Sequence, residues 1–309
     1  MRPLLQQEQA KTIMDTTLLT LHNLKKTYGN KTAVNIDSLA IQSHSFTCIV
    51  GKSGCGKTTL LRLLAGLEVP DTVTNVKDKT AASYSITGQN INVTSCITGL
   101  PAKTAPVFQE PRLMPWLTVK ENIMFSLKGQ AGKTHNSDQN QRALSNLSPD
   151  SEIKNEKTHK QNTTSINSVI SLSSPEERCR QLLQELELTE ASALYPSQLS
   201  GGMAQRVSLG RTLFYDPELI LMDEPFSALD YFTRCNLQDM VLRLFQHQKK
   251  TILFVTHDVE EALLLGDRIL VMENGNIKAD MPVALPFPRK AADPPLQEMR
   301  QQILDLLAE

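Results

Sequence analysis

Phe46-Thr47-Cys48-Ile49-Val50-Gly51-Lys52-Ser53-Gly54-Cys55-Gly56-Lys57-Thr58-Thr59-Leu60 decides the fold. Five residues of β type run into a glycine-rich turn, and the turn runs into a helical stretch from Lys57 to Ala65 that stops at Gly66. Gly51 to Thr58 fits the pattern Gly-x-x-x-x-Gly-Lys-Thr, which has physical meaning in this position between strand and helix. The glycines let backbone N–H groups turn inward around a β-phosphate, and the positive end of the helix favours the anion. Lys57 brings mobile positive charge to the β and γ oxygens, while the Thr58 hydroxyl is a candidate ligand for Mg²⁺. Gly51, Ser53, Gly54, Cys55, Gly56, Lys57, Thr58 and Thr59 together make the candidate phosphate cradle.

Outward from this loop, short apolar runs alternate with helical ones. Leu219 to Met222, Thr251 to Val255 and Arg268 to Met272 read as strands buried on both faces. Helices are predicted over Gln205 to Phe214, Asp230 to Gln248 and Val259 to Leu265. The fold class is therefore α/β, built on a mainly parallel sheet with crossover helices. The run Leu219-Ile220-Leu221-Met222 ends in two adjacent carboxylates, Asp223 and Glu224, which a buried strand would deliver to its C-terminal edge. Asp223 is the candidate to hold Mg²⁺ through its waters, and Glu224, pointing elsewhere, to polarise an attacking water as general base.

The 309 residues carry 40% hydrophobic and 21% charged side chains, with 14 glycines and 16 prolines. These values exclude collagen, coiled-coil and wholly disordered classes. A formal charge of −1 gives no overall attraction to nucleic acid. The five scattered cysteines, without a Cys-x-x-Cys pair, argue against a disulfide framework or a zinc site and fit a reducing compartment. No run reaches the roughly 18 apolar residues of a membrane span, and Met1 to Thr20 lacks an apolar leader, so any membrane role is expected to be peripheral.

Two segments depart from the strand-helix alternation. Pro175 to Thr189 places Leu182, Leu183, Leu186 and Leu188 among charges, an amphipathic helix that suggests a helical subdomain. The 47 residues from Gly129 to Pro175 contain only nine Ala, Val, Ile or Leu but fifteen Ser and Asn, which reads as a disordered insertion. Leu296, Met299, Ile303 and Leu307 then set up a final amphipathic helix.

Leu199-Ser200-Gly201-Gly202-Met203-Ala204-Gln205-Arg206, upstream of the Asp-Glu strand, resembles the signature motif of ABC-type ATPases. Ser200 and two glycines at a helix start again make an anion cradle. The resemblance implies a P-loop NTPase (RecA-like) core with an inserted helical subdomain. It divides the chain into a core of 18–110 and 200–280, a helical subdomain of 111–199 holding the 129–175 insertion, and a tail of 281–309. It also implies a homodimer in which each ATP, with Mg²⁺, lies between the phosphate loop of one copy and Ser200, Gly201 and Gly202 of the other.

The remaining family positions carry over one by one. Tyr28, in Leu24-Lys25-Lys26-Thr27-Tyr28-Gly29, matches the aromatic that stacks on adenine. Gln109, in Val107-Phe108-Gln109-Glu110-Pro111, matches the Q-loop glutamine that contacts Mg²⁺ and the lytic water. Asp230, in Ser227-Ala228-Leu229-Asp230, matches the D-loop at the dimer interface, and His257 matches the switch histidine that contacts the γ-phosphate.

Phe108 to Asn122, and the ending from Pro282 to Leu307, are similar to the importer ATPases for nitrate, aliphatic sulfonates, taurine and related solutes, a group that includes thiamine-precursor importers. That resemblance implies two membrane-spanning permease partners, an indirect link to a solute-binding protein, and a peripheral place on the cytoplasmic face of the inner membrane. Two spacings depart from the group: Lys57 to Gln109 spans 52 positions and Gln109 to Ser200 spans 91, both longer than expected. The competing readings are a non-transport ABC ATPase acting on nucleic acid or ribosomes, which the near-neutral charge disfavours, and a small-molecule kinase, which leaves Ser200 to Gly202 and His257 without a role.

Overall fold

The computed structural model describes residues 17–71, 83–86, 89–92, 96–126 and 174–308. The insertion read at 129–175 lies outside the described residues except for Ser174 and Pro175, which open a helix.

Four strands align in parallel: β3 (Phe46–Val50), β8 (Leu219–Asp223), β9 (Thr251–Val255) and β10 (Arg268–Glu273). Alternate residues supply the two buried faces. Phe46, Cys48, Val50, Ile220, Met222, Ile252 and Phe254 enter one apolar cluster, and Ile49, Leu219, Leu221, Leu253, Val255 and Leu270 enter the other. Such strands are stable only when covered on both sides, which is why their sequences are continuous apolar runs. β7 (Thr104–Val107) joins in parallel at one edge, where Pro106 costs no inner ladder bond, and β11 (Asn276–Pro282) pairs antiparallel at the other. The order is β11-β10-β3-β9-β8-β7.

A second, antiparallel sheet consists of β1 (Thr17–Tyr28), β2 (Lys31–Gln42) and β6 (Ile97–Thr98). Leu19, Leu21, Leu24, Val34, Ile36 and Ile41 form its apolar side, and they pack with Leu60, Leu63 and Leu64 of α1 (Lys57–Leu64). The helix that follows the phosphate loop is thus held between two sheets. A separate hairpin pairs β4 (Ser83–Ile86) with β5 (Gln89–Asn92).

The other face of the parallel sheet is covered by α4 (Gly201–Tyr215), α5 (Tyr231–Gln248), α6 (Val259–Leu265) and α7 (Pro294–Ala308). α4 begins four residues before the stretch the periodicity marks: Ser200 caps it by accepting from Met203 N at 3.3 Å, so the two glycines form its first turn. α2 (Val119–Ile123) and α3 (Pro175–Glu185) pack on α4. α3 stops at Glu185, short of the predicted Thr189, because Glu187 adopts φ +55°; Leu186 and Leu188 nevertheless stay fully buried. Asn122, also fully buried, ties the turn before α2 together. Its carboxamide accepts from Met114 N and donates to the carbonyls of Met114, Leu117 and Thr118.

Before α7, Arg289 is buried and donates to the carbonyls of Leu263, Gly266, Val283 and Leu285. Its guanidinium also lies 4.0 Å from the ring centroid of Phe287.

Candidate active site

The C-terminal ends of β3, β9, β8 and β7 lie side by side and gather the candidate groups. β3 runs into the phosphate loop, whose path only glycine permits at two points. A Cβ on Gly51 would sit 2.3 Å from the Met272 carbonyl oxygen. Gly56 caps α1 at φ +113°, and a Cβ there would fall 1.9 Å from the Ala33 carbonyl oxygen. The loop is therefore wedged against both sheets, with Gly275 N donating to Cys55 O at 2.9 Å.

Lys57 is buried, and its ammonium donates to the carbonyls of Gly51 at 2.8 Å and Lys52 at 3.2 Å. These are bonds that phosphate oxygens at the loop mouth would compete for. Thr58 Oγ1 donates to Asp223 Oδ1 at 3.0 Å, bringing together two of the three candidate Mg²⁺ ligands. Burial raises the Asp223 pKa above the usual carboxylate range, with the Glu224 charge acting the same way. The Thr58 hydrogen bond and the Arg62 and Lys57 charges oppose that shift. A hydroxyl beside a partly desolvated carboxylate, facing a phosphate loop, fits Mg²⁺, which binds few protein oxygens and keeps water and phosphate oxygens.

Glu224 leaves the strand at φ +45°, anchored by its N–H on Val255 O at 2.9 Å. Its carbonyl accepts from Ser227 N and Oγ. This turn points the side chain away from Asp223 and toward His257, whose Nδ1 lies 2.9 Å from Glu224 Oε2. Since a carboxylate only accepts, the imidazole Nδ1 is the donor. His257 is held two residues past β9 by Thr256, which donates its N–H to Ile49 O at 3.2 Å.

Gln109 follows β7 and is exposed at the same edge, and Gln205 of α4 donates to Phe108 O at 3.3 Å just before it. Tyr28 stands half exposed at the end of β1. Its hydroxyl donates to Glu68, and Lys26 Nζ sits 5.5 Å from its ring centroid. Ser53 and Gly54 are exposed at the loop tip, Cys55 is buried and Thr59 half-buried in the first turn of α1.

The signature residues and the D-loop meet each other. Ser200 caps α4, a Cβ on Gly201 would lie 3.7 Å from Leu229, and one on Gly202 would lie 2.4 Å from Thr233. Asp230 caps α5 by accepting from Thr233 N at 3.1 Å, which with the Thr233 hydroxyl keeps its carboxyl ionised to lower pH than usual. The recorded partners of Ser200, Gly201, Gly202 and Asp230 all lie on α4, α5 and the turn between β8 and α5.

Residues that sequence reasoning missed are Asn122, Gln238, Glu261 and Arg289, all buried and polar. For Glu261 there was a signal: helical spacing puts it on the apolar side of Val259 to Leu265.

A family model described as ABC transporter matches residues 34–227. An aliphatic sulfonates import ATP-binding protein of Granulibacter bethesdensis is 34% identical over 292 residues, covering 94% of this chain and 95% of the relative. One of Pseudomonas savastanoi pv. phaseolicola is 36% identical over 293 residues, covering 94% and 96%. A solved dimeric ATP-binding cassette in a post-hydrolysis state, bound to ADP and phosphate, superposes with a TM-score of 0.57 at 26% identity, covering 86% of this chain and 99% of that one.

Proposed function

We propose, from the premise that the chain belongs to the ABC transporter family, that it is the ATP-hydrolysing subunit of an importer for a small solute of the aliphatic sulfonate type. The observation that carries the reading is the Glu224–His257 pair, 2.9 Å apart, at the same sheet edge as Lys57, Thr58 and Asp223.

In this reading the phosphate loop and Lys57 bind the β and γ phosphates of ATP, and Tyr28 stacks on adenine with the ring face that Lys26 leaves free. Thr58, Gln109 and, through water, Asp223 would hold Mg²⁺, which would supply charge neutralisation to the phosphate oxygens. Glu224 takes a proton from the attacking water, and the single N–H of His257 either fixes that carboxylate or turns to the charge developing on the γ-phosphoryl group. Ser200, Gly201, Gly202 and Asp230 serve the partner copy's nucleotide, so two copies enclose two ATP molecules.

Dimer closure is passed to two membrane-spanning permease subunits through the surface from Gln109 to Phe125, where Trp116 is 69% exposed. No helix among the described residues is long and apolar enough to cross a membrane, which is compatible with a peripheral subunit on the cytoplasmic face. A solute-binding protein would act one step removed, because the ATP site has no contact with the cargo.

The test is Glu224→Gln in purified protein. The expected result is a loss of ATPase activity of about 100- to 10,000-fold, with an ATP-dependent dimer in light scattering. Normal hydrolysis by this variant would overturn the assignment. Reconstitution with the permease and receptor, followed by ATPase stimulation with alkanesulfonate against nitrate, tests the solute class.

A further inference from the structure

Behind His257 lies a buried polar group that none of these roles uses. Glu261 on α6 is buried, and its Oε1 accepts from Gln238 Nε2 of α5 at 2.9 Å. The Thr256 hydroxyl lies beside this carboxylate and favours its charged form, while Thr256 Oγ1 accepts from Asp258 N at 3.0 Å. A second tie runs alongside, in which Arg234 of α5 donates to Leu229 O in the D-loop at 3.2 Å and faces Asp258 at 3.9 Å. α5 is the helix that Asp230 caps.

We infer that Glu261 is a positioning residue: by clasping Thr256 with one side and Gln238 with the other, it fixes the backbone that presents His257 to Glu224 and joins that backbone to the D-loop helix. The inference rests on the hydrolytic reading above and deepens it. A carboxylate kept out of water costs stability unless it is fully bonded, and an apolar residue would fill the space between α5 and α6 at no such cost. What the carboxylate adds is a fixed direction. Thr256 is the residue immediately before the histidine, so a loosened Thr256 lets the imidazole swing relative to Glu224, and a small displacement there weakens transition-state contacts more than ground-state binding.

The experiment compares steady-state ATP hydrolysis by wild type, Glu261→Ala, Glu261→Gln and Gln238→Leu, with Glu224→Gln as control. Glu261→Ala and Gln238→Leu are expected to lower kcat about tenfold with KM for ATP within about twofold of wild type, the signature of an interaction made mainly in the transition state. Glu261→Gln, which keeps the shape and an acceptor for Gln238, is expected to recover kcat to within about threefold of wild type.

Should Glu261→Ala fail to fold, Gln238→Leu decides, since it leaves the helix surface filled. The inference is overturned if a folded Gln238→Leu or Glu261→Ala turns over within twofold of wild type, or if KM rises in step with the loss of kcat. The two readings fail differently: an inactive wild type, or an active Glu224→Gln, removes the hydrolytic reading itself. An active wild type with an inactive Glu224→Gln and indifferent Glu261 and Gln238 variants removes only the clasp.

Discussion

Replacing Gly56 with Ala tests how rigidly the phosphate loop is wedged between the two sheets. The new methyl carbon would start 1.9 Å from the Ala33 carbonyl oxygen and 3.0 Å from the Met272 side chain, at a backbone φ of +113°. Met272 has a flexible end, but Ala33 is backbone in β2, so the loop or the strand has to move. The positive φ costs about 1–3 kcal/mol for a residue with a Cβ. Overpacking against a part that cannot turn aside adds about 1–3 kcal/mol. The sum is about 4 kcal/mol, which at roughly 2 °C per kcal/mol for a chain of this size lowers Tm by about 8 °C.

Gly54→Ala is the matched control, because it shares a positive φ of +75° but has only Lys31 Nζ, at 3.7 Å, near the new carbon. Strain alone, about 2 kcal/mol, predicts a drop of about 4 °C. Calorimetry with and without Mg·ATP reads both effects: ligand at a hundred times Kd adds about 2.7 kcal/mol to wild type and is expected to add almost nothing to Gly56→Ala. If Gly56→Ala melts within about 2 °C of Gly54→Ala, the Ala33 carbonyl is not a wall and the reasoning fails.

Asn122→Ala leaves the Met114 N–H and the Met114, Leu117 and Thr118 carbonyls without their buried partner, and an expected loss of about 2–4 kcal/mol is measurable by urea unfolding. The pH dependence of Glu261 has a definite sign. Burial raises its folded pKa above that of the unfolded chain, opposed by the Thr256 and Gln238 bonds and the Arg234 charge and helped by Asp258. Folding therefore takes up a proton in the window above the ordinary glutamate value, and the group's effect on stability becomes less favourable as pH rises through it. Glu261→Gln does not titrate, so its Tm relative to wild type is expected to increase between pH 4 and pH 7. A flat difference would contradict the shift.

The parallel core was legible because strands such as Phe46–Val50 and Thr251–Val255 are apolar at all but one position and buried throughout, which leaves few alternatives. β1 and β2 escaped notice since each buries only one side, and the polar residues between Leu19, Leu21 and Leu24 mask a strand of 12 residues. β7 was hidden by its length and by Pro106, a residue tolerated only because the strand lies at the sheet edge. In the candidate site, groups at strand and helix ends with distinctive spacing, such as Lys57, Thr58 and Asp223, could be named from the sequence alone. Glu261 and Gln238 sit on separate helices 23 positions apart, and only the packing of α5 against α6 gives their pairing. Arg289 lies in the ending that resembles the importer ATPases, but its burial is not written there: four carbonyls from two parts of the chain define its place.

Arg289 also links regions that the chain order keeps far apart. Two of the carbonyls it holds, Leu263 and Gly266, close the C-terminal end of α6, the short helix that opens just after His257. A protease nick upstream of Arg289 would strip those oxygens of their donor and unclamp α6 from below. Damage at the distal end of the polypeptide would thus be felt beside His257 and Glu224, without any contact between the two.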